Sequence, residues 1–150
     1  MQERRVVARI LHEDADAYIA SWHSTVITVY RGPASLQHVT IASRHCRELV
    51  ERDAGAATYM GIVERTSPPP TEGVRRALAV WSRDVVTQMA AAVMIAEGGG
   101  FKNALVRGVG LALTALAPHK VPFKFASSVT EGVQIIARFL PAELGGAARV

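Results

Sequence analysis

The sequence is poor in the residue types that usually announce a chemistry. It has one cysteine, Cys46, in 150 residues, so no intramolecular disulfide is available and nothing points to an oxidising compartment. Cys46 lies inside an apolar-periodic segment, where a small core residue is the simpler reading than a nucleophile. The five histidines, at 12, 23, 38, 45 and 119, are scattered. His38 and His45 fall seven apart on one prospective helix face, but no neighbouring cysteine or carboxylate completes the roughly four ligands of a structural zinc, so no metal is expected. Aromatic residues make up only 6% of the chain and do not interleave with basic ones. The net charge of +4 is mild and the basic residues are spread out, which argues against nucleic acid as a partner. No apolar run approaches the roughly 20 residues that span a bilayer, and no signal-peptide core follows the N-terminus. A cytoplasmic protein is therefore expected. Phosphate-binding glycine fingerprints and the G-x-S-x-G elbow are also missing. No cofactor is predicted and no catalytic set is found.

The chain does contain enough to build a core. Hydrophobic residues are 49% and charged residues 20%, which excludes a disordered chain, and the length suits one domain. Residues 5–11 form a short apolar run that reads as a strand, followed by a polar turn at 12–16. Residues 24–31 alternate β-branched and aromatic side chains, the clearest strand signal present. Ser35 can cap a helix to about Asp53, with Leu36, Val39, Ser43, Cys46 and Val50 along one face. Residues 57–63 read as a buried strand, and Pro68, Pro69 and Pro70 break the structure after it. Thr71 caps a helix carrying Val74, Leu78, Trp81 and Val85 at spacings of four, three and four.

Residues 86–96 admit two readings, a continuation of that helix or a strand buried on both faces. A single helix over 72–97 would exceed 25 residues without an internal stop, so a break near Asp84 with a strand after it is expected. A helix over 101–117 ending at Pro118, a short strand at 123–126, and a helix opened by the capping box Ser128-Val129-Thr130-Glu131 complete the order. The last residues, from about 142, have little to pack. The expected architecture is α/β: a single mixed, mostly parallel five-stranded sheet with about four crossover helices, in the order β-β-α-β-α-β-α-β-α.

In open α/β sheets ligands sit beyond the carboxyl ends of the strands. Three loops qualify: 64–71, 97–100 and 127–130. Each feeds a helix N-terminus, whose free N–H groups favour anions. The candidate partner- or anion-binding residues are Arg65, Thr71, Arg75, Arg76, Gly98, Gly99, Gly100, Lys102 and Ser128. The plainer reading is that the hydroxyls cap helices and the glycines turn. Met60, Met89, Met94 and Trp81 could line a soft pocket, although core filling explains them as well.

The strand 25–30 with Arg31-Gly32 and a helix from Ser35, the strand 59–63 with its polar loop, and Phe123-Lys124-Phe125 leading into Ser128 together resemble the STAS domain, the fold of anti-sigma-factor antagonists, in its broader form shared with Sec14-like lipid-binding folds. The resemblance spans about residues 5–141. It implies a non-catalytic regulatory or protein-interaction module, with a protein partner such as a kinase or regulatory protein, and homodimers as one form of assembly. It also implies a phosphorylatable hydroxyl after the third strand, within Asp-Ser-[Ser/Thr]-Gly. This sequence has Glu64-Arg65-Thr66-Ser67-Pro68 there, so Ser67 and Thr66 are the candidate phosphoacceptors. The alternative implied by the Sec14-like relation is a domain that binds a small apolar or anionic ligand.

Overall fold

The computed structural model describes residues 8–97 and 123–140. Its centre is one mixed six-stranded sheet in sequential order. The strands are β1 (Arg9–Glu13), β2 (Ala17–Trp22), β3 (Thr25–Tyr30), β4 (Thr58–Val63), β5 (Ala91–Ala96) and β6 (Phe123–Ala126). β1, β2 and β3 form an antiparallel meander, and β3 to β6 run parallel. Three helices are described: α1 (Leu36–Asp53), α2 (Glu72–Asp84) and α3 (Val129–Ala137).

One feature corrects the expected five-stranded sheet: the additional strand is β2. The helix expected over 101–117 lies outside the described residues. The first strand runs past its expected end at Leu11, because His12 and Glu13 belong to it and the turn is confined to Asp14–Asp16. The two-residue turn between β2 and β3 places His23 in the left-handed region at φ 52°.

α2 stops at Asp84, where the Val85 N–H closes onto the Trp81 carbonyl. A single 3-10 turn at Val86–Gln88 then redirects the chain into β5. Five of the six β5 residues are buried, as a central parallel strand requires. Strand alternation separates two cores. On one face Val26, Tyr30, Tyr59, Val63, Ala92 and Met94 pack under α1 and α2. On the other, Met60, Val93, Ile95 and Ala126 pack with Ile136 of α3. Met60 is thus separated by the sheet from Met89, Met94 and Trp81. The four residues suggested as a pocket lining are not brought together.

A bulge in β1 decides the direction in which His12 points. Ile10 pairs with Ala20, whereas His12 pairs with Ile19, so Leu11 is an extra residue. Ile10 and His12 would otherwise share a face. With the bulge, His12 lies opposite Ile19 and faces α1, as Leu11 also does.

Candidate functional site

Because β3 to β6 are parallel, the loops leaving them emerge at one edge of the sheet. There the β1–β2 turn, the β3–α1 loop and the β4–α2 loop are joined by hydrogen bonds. The Arg31 and Gly32 N–H groups both donate to the Asp16 carbonyl, at 2.8 and 3.0 Å. A side chain at Gly32 would collide with the Asp16 carboxylate, since a Cβ there would lie 2.1 Å from Oδ1. On the other side, the Thr66 hydroxyl donates to the Arg31 carbonyl at 2.7 Å, and the Ser67 hydroxyl donates to the Gly32 carbonyl at 2.8 Å. Arg31 Nε also reaches Glu64 at 3.4 Å, an exposed pair of small energetic weight.

The most concentrated polar group at this edge is His12, Asp14 and His38. Both imidazoles place Nε2 at 2.7 Å from the same carboxylate oxygen, Asp14 Oδ2. The other oxygen, Oδ1, accepts the backbone N–H groups of Asp16 and Ala17, each at 2.8 Å. His12, then His38, and then these amides hold the Asp14 carboxyl well below the usual carboxylate range.

His38 is buried and sits at the third residue of α1. Its N–H donates to the Ser35 hydroxyl at 3.2 Å, and its own Nδ1 accepts the Ser35 N–H at 3.0 Å. This is a capping box in which histidine stands where glutamate or glutamine is usual. A backbone N–H can only donate, so Nδ1 carries the lone pair and the ring proton is on Nε2, directed at Asp14. These three residues have metal-ligand chemistry and proximity. A histidine ligating through one nitrogen, however, normally donates from the other, and here that nitrogen is already an acceptor. His38 therefore presents a donor, and not a lone pair, to the centre of the cluster. The arrangement is a hydrogen-bonded latch between the first hairpin and α1.

The residues anticipated from sequence divide into several places. Arg65 and Thr66 are exposed in the β4–α2 loop, while Ser67 is only 4% exposed. Thr71 caps α2 by accepting the Val74 N–H at 3.4 Å. Arg75 and Arg76 lie exposed on α2, with Arg76 paired to Glu72 at 2.6 Å. Ser128 caps α3 by accepting the Glu131 N–H, and the Glu131 carboxylate turns back to Ser127 instead of Ser128. Gly98, Gly99, Gly100 and Lys102 lie outside the described residues. The set is therefore gathered only in part, at the β4–α2 loop and the start of α2.

The His12–Asp14–His38 group was not anticipated. A carboxylate does complete a set with His38, but it comes from a turn 24 residues earlier and with His12 instead of His45. The Ser35-x-x-His38 spacing was the one local signal of it.

Elsewhere, a groove of about 460 Å³ runs between α1 and α2, lined by Val39, Arg44, Arg47, Val80, Trp81 and Asp84 among others. Arg83 binds Asp84 at 2.8 Å and, with Arg47 nearby, lowers the pKa of its carboxyl. Beneath the groove, Tyr59 stacks edge-on against Trp81 with ring centroids 4.7 Å apart and hydrogen-bonds Thr28. Burial pushes the Tyr30 hydroxyl up to about 12 and raises the Cys46 thiol well above its ordinary range, so both stay neutral near pH 7. Cys46 is therefore an inert core thiol.

Neither a scan of protein-family models nor searches of curated proteins and solved structures finds a match to this chain. The class that can be stated is an α/β fold with one mixed sheet. No described helix is long and apolar enough to cross a membrane.

Proposed function

We propose that this chain is a non-catalytic interaction module of the STAS kind, acting in the cytoplasm, whose contact surface is loop 64–71 with the outer face of α2. The observation that carries the reading is how the hydroxyls and imidazoles at the sheet edge are used. Thr66, Ser67 and His38 each tie one segment of the chain to another, and His12 joins the same Asp14 carboxylate from within its own hairpin, which favours a shaped, rigid surface over a reactive centre. Of the two candidate phosphoacceptors, Thr66 is the exposed one, and a kinase partner would act there. A phosphoryl group on Thr66 removes its bond to the Arg31 carbonyl and sets about −1.5 to −2 charges between Arg31 and Arg65.

The test is affinity capture followed by mass spectrometry, using the wild type, Arg75→Glu/Arg76→Glu and Thr66→Glu. Both variants should lose a common set of proteins that the wild type retains, while keeping the wild-type circular dichroism. Identical captures from all three would refute the surface.

A second reading, binding of a small apolar anion, is favoured by the α1–α2 groove, where Arg44 and Arg47 flank Val80 and Trp81. Native mass spectrometry of the purified protein distinguishes it. A co-purifying mass lost in Arg44→Glu/Arg47→Glu supports the ligand, and a bare chain mass excludes it.

A further inference from the structure

We propose that the N-terminal cap of α1 is proton-controlled: His38 closes the capping box only as the neutral Nε2–H tautomer, so a second proton on this imidazole opens the first turn of α1 while leaving the hairpin attached. The inference is independent of the interaction surface at loop 64–71. A capping box needs a side-chain acceptor for the N–H of the cap residue. Glutamate and glutamine provide one at every physiological pH, but histidine does so only while one ring nitrogen is bare. That nitrogen is Nδ1, 3.0 Å from the Ser35 nitrogen. Nε2 already carries its proton toward Asp14, so the next proton must go to Nδ1. It then confronts the Ser35 N–H donor to donor, at a helix N-terminus that already disfavours cations.

The groups facing His38 come from each neighbouring element. β1 contributes His12, with ring centroids 5.5 Å apart. The β1–β2 turn contributes the Asp14 carboxylate, β3 contributes Tyr30 at 6.1 Å, and Ser35 belongs to the cap itself. Asp14 stays ionised and Tyr30 stays neutral throughout the range where histidines ordinarily change charge. Protonating His12 displaces no hydrogen bond among the described residues, and it strengthens the attraction to Asp14. Protonating His38 strengthens the same attraction and breaks the cap. The response is therefore local: the His38–Asp14 contact persists while the Ser35 N–H loses its acceptor.

The readout must be equally local. Amide exchange is measured on the full chain for His38 and Val39, whose N–H groups bond the Ser35 hydroxyl and carbonyl. Rates are corrected for intrinsic exchange and compared at about pH 7.5 and about pH 5.5, on either side of the ordinary histidine range. In the wild type, protection of these amides should fall roughly tenfold, the upper end for one neutral hydrogen bond. In His38→Gln, which restores a permanent acceptor, it should not change. Unchanged protection in the wild type, or an equal fall in His38→Gln, overturns the proposal. The nitrogen-15 shift of His38 Nδ1 tests it without any substitution. A bare-nitrogen shift at about pH 7.5 supports the assigned tautomer, and a protonated-nitrogen shift refutes it. Titration with zinc chloride is the last arm: one-to-one binding that requires both His12 and His38 would also overturn the assignment.

Discussion

Replacing Ser67 with alanine separates a structural hydroxyl from a reachable one. The Ser67 hydroxyl is buried and gives its proton to the Gly32 carbonyl at 2.8 Å. Removing it leaves the half-buried Gly32 carbonyl one donor short, at a cost of about 1–3 kcal/mol. The neighbouring Thr66 makes an equally short bond, 2.7 Å to the Arg31 carbonyl, but it is exposed. Water replaces the lost hydroxyl there, so Thr66→Ala should cost no more than about 0.5 kcal/mol. For a chain of this size each kcal/mol shifts the melting temperature by roughly 2–4 °C. A loss of about 2 kcal/mol in Ser67→Ala then appears as a fall of about 4–8 °C, against about 2 °C or less for Thr66→Ala. Urea unfolding of both variants, with equal m-values, tests the difference directly. If Thr66→Ala costs as much as Ser67→Ala, burial does not distinguish the two hydroxyls. The choice of Thr66 as the accessible phosphoacceptor then loses its basis.

Gly61→Ala should destabilise by about 1–3 kcal/mol through overpacking, because a Cβ there would lie 2.2 Å from Met94 Sδ and 2.8 Å from the Tyr59 hydroxyl; an unchanged urea midpoint would refute that close approach. For Asp14 the sign follows from its depressed pKa: the stability it contributes is fully present above the ordinary carboxylate range and is lost as pH falls through the lower folded value. The urea-midpoint advantage of wild type over Asp14→Asn should therefore persist through mild acid and shrink only in strong acid, below the ordinary carboxylate range, and an advantage that still grows there would contradict it. His12→Ala removes one of the two imidazoles that meet Asp14 Oδ2. Followed by carbon-13 NMR, the Asp14 titration should then move up toward the ordinary carboxylate range while staying below it, because His38 remains; an unmoved titration would show that His12 does not hold the carboxyl down.

What could be read from the sequence was local. Ser35 announces α1 through its own side chain, Thr71 does the same for α2, and the alternation over 24–31 marks β3, found at Thr25–Tyr30. The break near Asp84 followed from helix length, and the structure turns there, although a 3-10 turn takes up Val86–Gln88 before β5 begins at Ala91. β2 was not legible because its residues, Ala-Tyr-Ile-Ala-Ser-Trp, include two alanines and a serine with little strand preference. Its conformation is imposed by ladders on both sides, to β1 and to β3, which no local window contains.

Pairing across the chain also explains why the latch was invisible while its parts were in plain view. Asp14 reads as a turn residue and His38 as a helix residue, and both readings are right. Their meeting depends on two facts of register. The β1–β2 turn must close so that Asp14 lies beside the exit of β3, and β1 must take up Leu11 in a bulge so that His12 lies opposite Ile19 and does not share the face of Ile10. Side-chain direction in a strand has a period of two, so a single inserted residue decides which polar atoms converge. A motif search looks for spacing along the chain, but this cluster is specified by register between strands. Polar clusters built at bulges and hairpin turns of mixed sheets should accordingly escape motif-based reading more often than those carried on one helix.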